Sequence, residues 1–253
     1  MPVMDEFKEE REALKAQPFK KKLEYFWNYY KWHTIGTIVG VILLFTLVGD
    51  MVNNKETVFS GILVNTYPRY EETDAFDAAI AEVLEIDTGK YQVKFDYNFY
   101  MSEVFDNNSY QTTQMLMVHT AAGDVDVMSM DTYNFNKYGY NSYYADLRLY
   151  LSTEQLEALH DRIFYVDATL AAEIEEASIN NSYDTAEPAY PENPRDPSTM
   201  DNPIPVGISL KGCEKFEEYF LYADDQEGFI GIFAGTKNPE YVAKVIKYLF
   251  EIE

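Results

Sequence analysis

Cysteine is almost missing from this 253-residue chain: Cys213 stands alone, so no disulfide can form within it. That excludes the stapled extracellular scaffolds, and an exported chain without disulfides fits a bacterial envelope better than a eukaryotic secretory lumen. Histidine is nearly as scarce, with only His33, His119 and His160. His119 and His160 are too far apart in sequence for a zinc-type helical spacing, and His119 is expected at a helix end. Tryptophan stops at Trp32, which weakens any carbohydrate-stacking platform further along. No G-x-S-x-G elbow, P-loop or G-x-G-x-x-G is present, so no catalytic or phosphate-cradling motif can be assembled. Positive charge is short as well: 20 Lys and Arg face 43 Asp and Glu, a net of −23. A field of that sign repels nucleic acid, which is excluded as a partner. Asp124, Asp126 and Asp131 lack the glycine and terminal glutamate of a calcium loop, so no metal and no cofactor are expected.

Charge vanishes altogether from Thr34 to Gly49, TIGTIVGVILLFTLVG. As a helix those residues cover about 24 Å, and Trp32 to Val52 covers about 30 Å, the thickness of a bilayer's hydrocarbon core. Leu, Ile, Val and Phe occupy every face, unlike the single apolar stripe of a surface helix. Both tryptophans precede the run, where amphipathic rings settle at headgroup level. Thirty-three residues come before it, and Val48-Gly49-Asp50 is a poor cleavage site, so an uncleaved signal anchor is expected rather than a removed signal peptide. Lys20, Lys21, Lys22 and Lys31 flank one side and Lys55 alone the other, which directs the N-terminus to the cytoplasm. The expected organisation is a cytoplasmic amphipathic segment over 1–31, a transmembrane helix over 32–52, and an extracytoplasmic domain over 53–253. Lipid is then the first partner, and a membrane protein met through the anchor or the cytoplasmic helix the second.

Beyond the anchor, strand and helix patterns alternate. Val58–Asn65, Tyr91–Tyr97, Val125–Met130, Pro205–Leu210 and Gly228–Gly235 read as strands. Thr73–Leu84, Tyr110–Thr120, Thr132–Gly139, the capped run from Ser152 to about Ile163, Cys213–Leu221 and Asn238–Ile252 read as helices. Glu71 and Glu72 would lie in the first turn of one of them. Repeated strand–helix units imply an α/β domain with a largely parallel sheet. Residues 176–203 lack periodicity and gather Pro188, Pro191, Pro194, Pro197 and Pro203, so a long loop or lid is expected there.

Two passages carry a family likeness. Gly123-Asp124-Val125-Asp126-Val127 leads to Tyr138-Gly139-Tyr140 and Ala145-Asp146-Leu147; Val206-Gly207-Ile208-Ser209-Leu210 leads through Gly228-Phe229-Ile230 to Lys237-Asn238-Pro239-Glu240. Together they resemble the bilobed extracytoplasmic solute-binding proteins, over about residues 57–253. The anchor with one lobe is similar to uncharacterised single-pass membrane proteins of Gram-positive anaerobes. The resemblance implies a first-lobe-like domain, while the short interval from Leu149 to Pro205 implies that the second lobe, and with it the deep ligand cleft, is reduced or absent.

Open α/β sheets place ligands at the carboxyl ends of their strands. That rule points to Asn65 and Tyr67 after the first outer strand, and to Asp131 and Tyr133 after the third. The tyrosines from Tyr133 to Tyr150 (Tyr138, Tyr140, Tyr143 and Tyr144 between them) read chiefly as packing, with ligand stacking as the alternative. The expected function is a non-catalytic, membrane-anchored binding or interaction module. Its rivals are a reduced-cleft ligand receptor serving a transporter and an envelope enzyme with an acidic site.

Overall fold

The computed structural model describes residues 18–53, 55–70, 74–104, 106–179, 189–223 and 226–253. The chain divides into two compact units between Lys55 and Glu56. The expected first-turn residues Glu71 and Glu72, and the N-terminal part of the cytoplasmic segment, lie outside the described residues.

The described residues of the first unit form one continuous helix, α1 (Phe19–Asn53), of 35 residues. Among the described residues it is the one helix long and apolar enough to cross a membrane, over Tyr30–Gly49. Its side chains are not those of a core helix: Phe45 is 75% exposed and Leu44 62%. Polar groups within the rod are satisfied locally, Thr37 Oγ1 donating to the His33 carbonyl at 2.8 Å and Thr46 Oγ1 to Leu43 at 2.9 Å. That is what a hydrocarbon surround demands, since nothing there replaces water.

The second unit is built on six strands: β1 (Glu56–Val64), β3 (Tyr91–Phe99), β4 (Val127–Asp131), β5 (Ile163–Asp167), β6 (Pro203–Ser209) and β8 (Gly228–Ile232), in the order β3-β1-β4-β8-β6-β5. A two-stranded ribbon pairs β2 (Tyr67–Pro68) with β7 (Phe220–Leu221). Helices α2 (Asp74–Val83), α3 (Asn107–Ala122), α4 (Thr132–Tyr140), α5 (Thr153–Ala158), α6 (Ala168–Ile179), α7 (Glu214–Glu217) and α8 (Pro239–Phe250) complete it.

Alternation along β1 serves both faces of the sheet. Phe59 and Leu63 join a core with Phe76 and Ile80 of α2 and Val242, Val245, Ile246 and Leu249 of α8. Ile62 and Val64 join the opposite core with Leu116 of α3 and Phe135 and Tyr138 of α4. Gly207 and Gly231 face each other in register on β6 and β8. The rings of Phe135 and Tyr144, stacked 4.1 Å apart, lie directly on these two glycines, where a Cβ would overlap them. Glycine is required there for close approach, not for a turn.

The sheet is mixed where the sequence implies a largely parallel one. β1 is parallel to β3 and β4, but β4–β8, β8–β6 and β6–β5 are antiparallel. A parallel link needs a crossover running the length of the sheet. Between Ser209 and Gly228 the described residues hold only the four-residue α7 and the strand β7, so the chain returns at the end it left.

Three further expectations are corrected. The run from Ser152 keeps its capping box with Gln155 but ends as a helix at Ala158, and Ile163–Asp167 is an unexpected edge strand. The helix over Cys213–Leu221 stops at Glu217, because Phe220 and Leu221 pair with Tyr67 and Pro68 instead. The Pro-rich stretch does not begin as a loop: α6 runs to Ile179, and the segment from residue 189 packs onto the sheet edge. There Tyr190 lies 4.9 Å from Tyr140 and the Pro194 carbonyl accepts from Tyr165 N at 2.8 Å.

Candidate functional site

Strands β3, β1 and β4 end side by side, and their carboxyl ends hold the four residues singled out by sequence. Asn65 follows β1 in the left-handed conformation (φ 56°), which asparagine tolerates better than most residues. Its side chain copies a strand: the carbonyl accepts from Met101 N at 2.8 Å, and the amide donates to the Met101 carbonyl at 2.6 Å. The same amide lies 2.6 Å from Asp131 Oδ2. Asp131 ends β4 and caps α4, accepting from Asn134 N at 3.1 Å and Asn134 Nδ2 at 2.8 Å. It is 4% exposed.

Two of the four residues are therefore brought into direct contact, and their polar atoms are consumed by one another and by the backbone. Tyr133 directs its hydroxyl to the Glu103 carbonyl at 3.4 Å. Tyr67, on the ribbon, is half exposed, with its ring 6.2 Å from that of Tyr100.

A second polar group at this end was not legible in sequence. Glu227 precedes β8, just beyond the Asp131–Gly228 pair. Its carboxylate takes Arg195 from the Pro-rich stretch and the Ser209 hydroxyl from the end of β6. The Arg195 guanidinium sits 5.6 Å over the Phe229 ring, and burial, with Arg162 nearby, lowers its pKa. Tyr222 donates to Ser129 Oγ at 2.9 Å, and burial pushes its phenol well above the ordinary range. Beside these groups lies a cavity of about 180 Å³ lined by Leu210, Lys211, Phe216, Glu217, Tyr222 and Glu227. Only the register of β8 against β4 and β6 assembles this set, and no local signal marks it.

A larger concavity, about 820 Å³, lies at the amino end of β6 and includes Asp167, Glu173, Glu192 and Asp201. Burial pushes Asp167 up, but backbone N–H groups of Asp201, Asn202, Thr169 and Leu170 outweigh it and hold the carboxyl below its usual range. Asp167 is thus a loop staple. Asp126 is another, taking Ser60 N at 2.9 Å, Thr236 Oγ1 at 2.6 Å and Asn238 Nδ2 at 3.1 Å.

His119 lies in the last turn of α3, 3.2 Å from Asp124, and His160 bonds the Glu157 carbonyl. Among the described residues no group of three or more His, Cys, Asp or Glu is placed to hold a metal ion. Cys213 is buried with Sγ 3.1 Å from the Leu249 carbonyl, and burial raises its pKa, away from the reactive thiolate. Tyr138, Tyr140 and Tyr144 are buried in the core.

No family model and no curated protein matches this chain. Among solved structures, iron-bound HitA from Pseudomonas aeruginosa is similar over 77% of this chain and 80% of its own, at 9% identity and a TM-score of 0.34. A likeness that loose carries no argument about this protein.

Proposed function

We propose that this chain is a single-pass membrane protein, N-terminus in the cytoplasm, that presents its α/β domain outside the cell as a non-catalytic interaction module. The domain is read as one solute-binding-like lobe that meets its partner with its surface instead of enclosing a ligand. One observation carries that preference: Asn65 and Asp131, where a strand-end ligand would be held, already satisfy each other, Asn134 and the Met101 backbone. A free ligand would have to displace four internal hydrogen bonds, each worth about 1 kcal/mol net. Protease added to intact cells tests the orientation: residues 56–253 are expected to be digested, and their protection until the cells are opened would overturn it.

The cavity beside Tyr222 and Glu227 favours a second reading, a reduced-cleft receptor delivering a small solute to a transporter. A thermal-shift screen of the detergent-solubilised chain separates the two. Sugars, amino acids, short peptides and divalent cations are the probes, and a ligand at 100 times its dissociation constant adds about 2.7 kcal/mol. The surface reading expects no shift; a reproducible shift that Tyr222→Ala abolishes would replace it with the receptor.

A further inference from the structure

In a domain crowded with carboxylates, α3 (Asn107–Ala122, NNSYQTTQMLMVHTAA) contains no Asp, Glu, Lys or Arg. Every other α-helix among the described residues of the domain carries at least one. Ser109, Thr112 and Leu116 turn one side of α3 inward. The other side exposes Tyr110 (54%), Met115 (43%), Met117 (50%) and Val118 (67%), with Gln111, Gln114 and Ala121 between them. Charge returns at the two ends: as the capping Asp106 at one, and at the other as Asp124 beside His119 and as Lys237, whose Nζ donates to the Ala122 carbonyl at 3.4 Å.

We propose that this uncharged face of α3 is where two copies of the chain meet in the same membrane. Like-charged molecules oppose association wherever carboxylates confront each other, so two copies approach most readily where neither carries charge. A basic partner would be drawn to the acidic surfaces and would gain nothing from α3. The size of the face also fits an anchored partner. It is about 24 Å long and about 10 Å wide, well short of the roughly 800 Å² per partner of a stable dimer in solution. Confinement to one bilayer raises the effective concentration enough for so small a contact to hold.

The anchor offers an independent contact of the same kind. Gly36 and Gly40 lie four residues apart on one face of α1, and a Cβ built on either meets nothing within 4 Å. Small residues at that spacing let the backbone of a second helix approach closely. The inference rests on the membrane-anchored reading above. A twofold pairing would bring the mid-helix positions of α3 near their own copies.

The test uses the full chain in native membranes, with cysteine introduced by Met115→Cys and, as a control, Leu149→Cys. Leu149 is 76% exposed and lies beside Leu147, which belongs to the core on the other sheet face from α3. Cys213 is buried and supplies a quiet background. On oxidation, Met115→Cys is expected to give a band of doubled mass about ten times stronger than Leu149→Cys. Val118→Asp added to Met115→Cys is expected to lower it about ten-fold while leaving the thermal melt of the domain in place. Equal bands from the two cysteines overturn the proposal, as does an adduct of Met115→Cys with a protein of another mass. Loss of the band in Gly36→Leu/Gly40→Leu but not in Val118→Asp removes α3 from the interface and also overturns it. Alkaline carbonate extraction of the same membranes keeps the two readings apart: a released chain sinks the anchor itself, whereas a retained chain without the band sinks only the pairing.

Discussion

Apolar side chains do opposite things in the two units of this protein. In α1 they point outward: Leu43, Leu44, Phe45 and Leu47 are all more than half exposed. In the α/β domain most residues of the same types turn inward, with Leu63, Ile80, Phe135, Phe164 and Ile246 buried completely, and only a few such as Val118, Leu149 and Ile179 stay exposed. The difference lies in the solvent each region is made for. A rod apolar on all sides needs hydrocarbon around it, whereas strands that alternate and helices with one apolar stripe can hide their grease from water. Stability of the two units should therefore fail separately.

The largest effect is expected from Phe135→Ala. This ring stacks on Tyr144 and packs edge-on 4.8 Å from Phe164, over the slot left by Gly207 and Gly231. Truncation should lower the unfolding free energy by about 3–5 kcal/mol in a urea titration, with membrane retention unchanged. The converse variant is Leu43→Arg, a charge set at the centre of the span. It should raise the cost of insertion by about 3 kcal/mol and release chain on carbonate extraction, while the domain's urea midpoint stays where it was. If either substitution moved both readouts, the units would not be independent and the contrast would fail.

Asp131→Ala is smaller and probes whether the strand-end pair is structural. It removes the acceptor of Asn134 N and leaves Asn65 Nδ2 and Asn134 Nδ2 with the Met101 carbonyl alone, and a loss of about 2–3 kcal/mol is expected from the urea midpoint. A neutral or stabilising result would argue that the carboxylate is held there for a ligand.

Asp77 gives the most modest effect and bears on pH. Its carboxyl accepts from Phe95 N at 3.0 Å beneath the edge strand β3, and burial raises its pKa from 3.8 to about 7, with Asp74 and Asp96 adding to the shift and Lys94 opposing it. The folded state then binds the proton more tightly than the unfolded chain. Its contribution is full below about pH 4 and is lost as pH rises through about 7. Urea midpoints at pH 5 and pH 8 should differ more for the wild-type domain than for Asp77→Asn. Parallel pH responses of the two proteins would place the dependence in other carboxylates.

Legibility followed the range of the forces involved. α8 was readable in full, because Pro239 at its start and Val242, Val245, Ile246 and Leu249 at helical spacing are local facts. So was the end of α3, where Gly123 takes the left-handed φ of 65°. β5 is not legible, since Ile163–Asp167 is too short to separate from the helical run before it. The ends of α7 and of the Pro-rich stretch were decided by partners distant in sequence: β2 for the first, Tyr140 and Tyr165 for the second. At the strand ends, a general rule about open sheets was enough to nominate Asn65 and Asp131. Neither their mutual hydrogen bond nor the Arg195–Glu227–Ser209 group could be read from spacing, because the partners stand 66, 32 and 18 residues apart.

Sequence by itself determined that this molecule has a greasy N-terminal rod and an acidic, disulfide-free α/β domain, since run length, charge and periodicity are properties of neighbouring residues. Tertiary structure alone decided that the sheet is mixed, that two glycines open a slot for an aromatic pair, and that the nominated polar site is closed upon itself. Those outcomes depend on which backbone edges and side chains meet across the fold, and no stretch of chain carries that information locally.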